Sequence, residues 1–384
     1  MAKYVIEDTT LTNIASAIRE KTGKSELLLP SQMPSEIQSI SGGGDTDYQL
    51  NADMKWAKQV CIDDVQEGFT YKVLEMISDG YVYHDIVVPS GGAVKTSDGG
   101  YYTSNDKHTW DDTNARIPEY YKNMKLRWII TYYPSETTSS FSLYNDVIYA
   151  VIDGLKHSNT NFREHYSLEY FEYINNGKYT GTAFNNMFRD CYSLQSIPEL
   201  NTSQGTIFGS MFQNCYSLQS IPQLDTSQGI SFNYTFYNCY SLQSIPELNT
   251  SQGTSFGGMF QNCYSLQSVP NLDTSNGTSF GNMFQNCYSL QTISQLKFNS
   301  ANFIGNLASN ASKLEFVNLL NITKSLSLSS SSKYSRETLV NGVLNNLVDL
   351  TGQTSQTLTL GSTNLNKLTE EDKLIANNKN WILA

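Results

Sequence analysis

The chain has 384 residues, too many for one small core, with 16% charged residues, 25 tyrosines and a formal net charge of −11. An acidic balance with no Lys/Arg stripe repels phosphates and speaks against a nucleic-acid partner. No run of about 18 apolar residues occurs, so no membrane span is expected, and residues 1–8 lack the charged and apolar segments of a secretory signal, so synthesis in the cytoplasm without a signal peptide is expected.

In residues 9–22, Leu11, Ile14, Ala15 and Ile18 stand at helical spacing, with Asp8 or Thr9 as a cap and Gly23 as a stop. A second short helix is expected near Pro34, presenting Ile37 and Ile40, before a Ser-Gly-Gly-Gly linker at 41–44. Two such helices bury too little to stand alone, so Leu11, Ile14, Ile18, Ile37 and Ile40 are the candidate attachment or oligomerisation residues. A homo-oligomer is expected, and a trimer is one such arrangement. The string Asp8-Thr-Thr-Leu-Thr-Asn-Ile-Ala-Ser-Ala-Ile-Arg-Glu-Lys-Thr-Gly23, followed by Leu29-Pro-Ser-Gln-Met-Pro34, resembles the N-terminal segment of tail and tail-fibre proteins of bacteriophages that infect Gram-positive and gut bacteria. That resemblance implies attachment to other virion tail proteins and a place in the virion tail.

Residues 45–161 change to Tyr-rich, β-branched runs. Residues 80–88, 125–133 and 146–152 read as strands bounded by Gly91-Gly92 and Gly99-Gly100, and together as one β-rich domain. The stretch Lys95-Thr-Ser-Asp-Gly-Gly-Tyr-Tyr-Thr with His108-Thr-Trp110 resembles phage structural proteins. His84, His108, His157 and the pair Asp111-Asp112 lack any metal-ligand spacing and read as solvated or core residues. The clustered Tyr and Trp fit a sugar-stacking surface, but a Tyr-rich sandwich core looks identical in sequence and is the expected reading. No nucleophile elbow, P-loop or His-Glu-x-x-His motif occurs. The carboxyls Asp111, Asp112, Glu119 and Glu136 leave a polysaccharide depolymerase as a minor reading, but the expectation is a non-enzyme with no cofactor and no metal.

From residue 162 to 324 the chain repeats itself. Cys191, Cys215, Cys239, Cys263 and Cys287 are 24 residues apart, each opening Cys-Tyr-Ser-Leu-Gln. A fixed period of this size marks a solenoid. The apolar register continues to Ala311, Leu314, Val317 and Leu320 and back to His165, Leu168, Phe171 and Ile174, which gives seven turns with degenerate ends. Within a turn, Phe208, Met211, Phe212 and Cys215 at i, i+3, i+4 and i+7 predict a short helix. Leu218, Ile221 and Leu224 predict an extended segment around Pro222, and Asp225-Thr-Ser-Gln-Gly229 a turn in which Gly takes positive φ. The cysteines read as a buried thiol column.

The strings Asn-Cys-Tyr-Ser-Leu-Gln-Ser-Ile-Pro and Thr-Ser-x-Gly-Thr-x-Phe-x-x-Met-Phe resemble the BspA-type leucine-rich repeat of bacterial surface adhesins, which implies an α/β right-handed solenoid with a parallel strand ladder. Stacking turns every repeat position into a row. The row Glu199, Gln223, Glu247, Asn271 and Gln295, with the row Tyr192, Tyr216, Tyr240, Tyr264 and Tyr288, is the candidate receptor-contact surface. The partner expected is a bacterial surface glycan or protein. The Gln195-type and Ser196-type rows serve contact or merely bond along the stack.

Residues 325–384 read as a C-terminal α/β cap: a helix capped by Ser335, a strand at 357–360, a helix beginning at Thr369 with acids at its positive end, and a closing Trp381-Ile-Leu383. The fold class expected is thus multidomain: N-terminal short helices, a β-rich middle, a 24-residue-repeat solenoid and a cap. The function expected is that of a phage tail-fibre or receptor-binding protein, with a BspA-type cell-surface adhesin as the alternative.

Overall fold

The computed structural model describes residues 52–384 apart from 67–68, 78–86, 91, 98–100, 104–114, 117–127, 139–142, 144–146 and 159–161. The N-terminal residues Leu11, Ile14, Ile18, Ile37 and Ile40 lie outside the described residues, as do His84, His108, Asp111, Asp112 and Glu119.

A helix at Ala52–Asp63 packs on a six-stranded sheet in which Tyr71–Ile77 lies between Val147–Asp153 and Trp128–Tyr133, both antiparallel to it. The last two strands overlap the stretches expected at 146–152 and 125–133. Met54, Ala57 and Cys61 of the helix meet Leu74, Tyr132, Tyr149 and Val151 of the sheet. Three ion pairs pin the helix region and strands further: Lys58 with Glu172, Lys95 with Asp64, and Lys72 with Asp153 at 3.7 Å. Burial pushes the Cys61 thiol up to about 12, so it stays protonated.

The other face of the sheet has no boundary with the solenoid. Val73, Val94, Ile129, Ala150 and Ile152 belong to the same apolar core that runs through every repeat to Trp381. Strand Tyr170–Ile174, in the first degenerate turn, pairs in parallel with Val147–Asp153 and closes that side of the sheet. A second parallel ladder, Thr137–Thr138, Lys156–His157 and Lys178–Tyr179, starts the coil before the cysteine motif begins. At the far end Ile322 bridges Leu347 in parallel, and Leu326–Ser327, Gln356–Thr359 and Trp381–Leu383 form one more parallel sheet. The result is a β-solenoid of about 11 turns, which corrects the seven read from the motif. Parallel pairing persists there after the motif has gone.

The repeats contain no helix, which corrects the expectation of an α/β solenoid. Met211 N–H donates to Phe208 O, and Cys215 N–H to Phe212 O, at 3.1 Å each, closing two successive four-residue turns. The third residue of each turn has positive φ, 57° at Ser210 and 64° at Asn214, the sign a type II turn demands there. Between those bonds the N–H groups of Phe208, Ser210, Phe212 and Asn214 donate to the carbonyls of Ser231, Asn233, Thr235 and Tyr237 one turn on, at 2.8 to 2.9 Å. Alternate donors therefore serve the neighbouring turn instead of an i−4 carbonyl. A helix is impossible with half its donors spent this way.

On the extended side a single backbone bond per turn crosses the stack, as from Gln219 N–H to Gln195 O at 3.1 Å. Proline explains why. Pro198, Pro222, Pro246 and Pro270 lack the donor, and a full strand, Thr292–Lys297 paired with Phe316–Leu320, appears only where Ser294 and Asn318 replace it. Gly229 does not have the positive φ expected of it; a Cβ there would lie 2.5 Å from the Phe232 ring and 2.9 Å from Thr226 O, so close packing requires the glycine.

In the cap, Ser335 caps the helix Arg336–Gly342 by accepting from Thr338 N–H, and Thr369 and Asp372 form a capping box on Glu370–Asn377. The first helix ends at Gly342, where a Cβ would lie 2.1 Å from Val317 O, so its close packing on the strand requires the glycine. Arg336 grips Asp372 with two bonds of 2.7 Å, holding its carboxyl below the usual carboxylate range.

Candidate functional site

Identical residues one turn apart make columns, and the columns decide what the solenoid surface offers. Tyr192, Tyr216, Tyr240 and Tyr264 are half-buried rings stacked nearly parallel at centroid distances of 4.8, 4.8 and 4.6 Å; Tyr288 ends the run at 5.2 Å and tilts by 40°. Their faces are spent on one another, so this column offers ring edges and hydroxyls. Burial pushes the hydroxyls of Tyr216, Tyr240 and Tyr264 up, keeping them neutral. Behind them two phenylalanine columns fill the core, Phe208 on Phe232 at 5.7 Å and Phe212 on Phe236 at 5.5 Å. Offset stacking at these distances is favourable beyond the area it buries.

Glu199, Gln223, Glu247, Asn271 and Gln295 all face solvent along one edge. Gln223 Nε2 donates to Glu247 O one turn on at 2.6 Å, which fixes the row in register. A second exposed row runs beside it: Asn201, Asp225, Asn249 and Asp273. The carboxylates alternate between the rows, Glu199, Asp225, Glu247 and Asp273, one per turn. From Cys191 to Leu296 these four are the only ionisable side chains of Asp, Glu, Lys, Arg or His type. Carboxylates stacked in one row would stand a turn apart, a spacing of 4.8 Å in the tyrosine column, and would repel by roughly 1 kcal/mol even at the dielectric of water. Alternation avoids that contact and leaves the rest of the surface of these turns uncharged.

Sequence reasoning missed the role of the asparagine that precedes four of the five cysteines, Asn214, Asn238, Asn262 and Asn286. Nδ2 of Asn238 donates to Asn214 at 2.7 Å, Asn262 to Asn238 and Asn286 to Asn262 at 2.6 Å, and Asn310 to Asn286 at 2.7 Å. Asp190 starts the ladder by accepting from Asn214. All have positive φ, which Asn tolerates best after Gly. An Asn recurring at one repeat position from 214 to 310 was the available signal. The buried thiols also bond: Cys215, Cys239 and Cys263 donate to the carbonyls of Phe188, Phe212 and Phe236 at 3.0, 3.2 and 3.0 Å. Thr226, Thr250 and Thr274 donate from Oγ1 to the next turn's carbonyl at 2.9 Å. The Gln row grades from buried Gln195, bound to Glu169 and Tyr170, to exposed Gln267 and Gln291.

Of the histidines, His157 is buried against Tyr173, whose hydroxyl lies 2.9 Å from Nε2, and His165 is held between the carbonyls of Phe162 and Leu143 at 2.8 Å each. Glu136 pairs with Lys156 at 2.8 Å on the surface. No cluster of three or more His, Cys, Asp or Glu with metal-binding geometry occurs among the described residues, and none of their helices is long and apolar enough to cross a membrane.

No curated protein matches the chain. Residues 182–297, the span of the regular turns and their stacked columns, are similar to the family described as Mycoplasma protein of unknown function, DUF285.

Proposed function

We propose that the chain is a bacteriophage tail-fibre or receptor-binding protein, attached to the virion through its N-terminal segment, and that its solenoid, of the BspA leucine-rich-repeat type, recognises the bacterial surface. One observation carries this reading: a rigid stack displays uncharged amide, hydroxyl and aromatic groups at a constant interval, with its few carboxylates confined to one edge. Such an array suits a repetitive, weakly charged partner engaged by many small contacts, where a catalytic centre would need convergent titratable groups. The exposed row of Glu199, Gln223, Glu247, Asn271 and Gln295 is the contact surface, and the hydroxyl edge of the tyrosine column flanks it in this reading.

Competition for phage adsorption is the test. Purified chain is expected to block adsorption to susceptible cells, and the Ala replacement of Glu199, Gln223, Glu247 and Asn271 to lose that effect. Undiminished competition by the variant moves the contact to the tyrosine row or to residues 45–161; wild-type chain that neither binds cells nor competes defeats the proposal. The likeness of residues 182–297 to a family named for a bacterium favours a second reading, a cell-surface adhesin of the BspA type. Antibody labelling of virions and of cells separates the two.

A further inference from the structure

The face formed by the first four-residue turn of each repeat carries no charge and breaks its own pattern at a few places. Position 207 and its equivalents bridge in parallel through Ser231, Ser255 and Ser279, yet the row begins with Ile207 and ends with Phe303. Both are exposed, Phe303 at 55%. The row three residues on has Ser210, Gly258, Asn282 and Asn306, all with positive φ, and in the middle of it Tyr234, also at φ 55° and 45% exposed. A bulky aromatic in that conformation is an outlier where its equivalents are residues that adopt it more readily. Sequence repetition supplies the reference: the fold accepts Asn, Ser or Gly here, so nothing in the fold asks for Tyr.

Glycines let the two rings lie flat. A Cβ on Gly258 would come within 2.4 Å of the Tyr234 ring, and one on Gly281 or Gly305 within 2.4 or 2.8 Å of the Phe303 ring. Tyr234 therefore reaches forward over the turn of Gly258, and Phe303 backward over the turn of Gly281, the next one along. Tyr237 meets Tyr234 in a T-shaped pair, with ring centroids 5.6 Å apart and an interplanar angle of 83°. In contrast to the Tyr192-type column, each ring has one face on glycine backbone and, among the described residues, no aromatic partner stacked parallel on it. Hydroxyls and amides share these rows: Ser255 Oγ donates to Asn233 Oδ1 at 2.7 Å, Ser279 follows Ser255, Thr278 follows Thr254 after the exposed Ile230, and Asn282 follows Gly258.

We propose that Tyr234 and Phe303 are the stacking platforms of a binding site for a neutral glycan. A pyranose ring presents C–H groups on one face and hydroxyls around its rim, matching a flat aromatic floor bordered by hydroxyl and amide groups. Charge complementarity selects the class, since the face has no cation for an anionic polysaccharide and no anion for a basic protein. The inference rests on the reading of the solenoid as an attachment surface and names what that surface binds, on a face distinct from the Glu199 row.

The full chain is titrated calorimetrically with neutral oligosaccharides of glucose, galactose, mannose and N-acetylhexosamine, and with an oligouronate as the anionic comparator. Binding of at least one neutral sugar and none of the uronate is expected. Tyr234→Asn with Phe303→Ser, which installs residues the equivalent turns already carry, is expected to weaken that binding about tenfold or more while the thermal midpoint holds or rises. Unchanged affinity in the double variant overturns the site, as does a wild-type chain that binds no neutral sugar. A double variant that converts a dimer to a monomer without any saccharide binding by the wild type makes the patch a contact between copies and likewise overturns it. A chain that adheres to cells but binds no sugar defeats this inference and leaves attachment standing; one that binds sugar through Tyr234 but adheres to no cell does the reverse.

Discussion

Asn262 performs two tasks in a single side chain. Its backbone sits at φ 65°, and its amide donates to Asn238 while accepting from Asn286 at 2.6 Å each. Gly in its place keeps the backbone unstrained and loses only the two ladder bonds, worth about 1–2 kcal/mol together. Ala loses the same bonds and adds the left-handed penalty of about 1–2 kcal/mol. Denaturant titration of Asn262→Gly and Asn262→Ala is therefore expected to place Ala roughly 1 kcal/mol below Gly, with both below wild type. Equal midpoints for the two variants would show that the amide ladder alone matters. The columns of Cys, Leu and Ile were legible from spacing because burial demands the same apolar residue at the same place in each turn. The Asn column was equally regular but carried no apolar signal, and its purpose depends on a backbone sign that spacing does not reveal.

At the scale of the element, the helix reading failed for a definable reason. A run of four-residue turns places Phe208, Phe212 and, three residues on, Cys215 on one side, the same intervals as an α-helix. The distinguishing signal lay between them, in the Ser, Gly or Asn at the third place of each turn, which a helix disfavours. The strand ladder before the motif has its own titratable element. His157 is packed against Phe162, Tyr173 and Tyr179 at ring distances of 6.2, 5.8 and 5.4 Å, and burial depresses it to about 4. The neutral ring is the folded form, so the unfolded chain takes up the proton first as pH falls below its ordinary value near ~6.5. Stability is then full above that pH and lost as pH falls through about 4, by on the order of 3 kcal/mol. Urea midpoints between pH 7 and 4.5 are expected to fall more steeply for wild type than for His157→Gln; parallel slopes would remove His157 as the cause.

Across the whole molecule, the motif marks only the regular middle of a longer coil. Outside it the parallel rungs continue at uneven offsets, through Thr137, Lys156 and Lys178 before the repeats and Ile322 and Leu347 after them. No periodicity search finds such turns, because their loops differ in length while their backbone bonds do not. Within the regular middle, however, each turn contacts only its neighbours, so the stack is expected to tolerate removal of a whole period and no fraction of one. Deleting 239–262 joins Asn238 to Cys263 and keeps every column in register, so a cooperative, slightly less stable fold is expected; deleting 239–250 brings unlike positions together and is expected to abolish the near-ultraviolet circular dichroism of the stacked tyrosines. The carboxylate rows add a finer test. The one-period deletion sets Asp225 beside Asp273 in adjacent turns, whereas deleting the two periods 215–262 leaves Glu199 followed by Asp273 and the alternation intact. Surface repulsion between exposed charges is screened by salt over about 8–10 Å. The one-period variant is therefore expected to gain more in thermal midpoint from 20 mM to 500 mM NaCl, roughly conditions of weak and strong screening, than either wild type or the two-period variant. If all three gain equally, the alternation of Glu and Asp along the edge has no part in the stability of the stack.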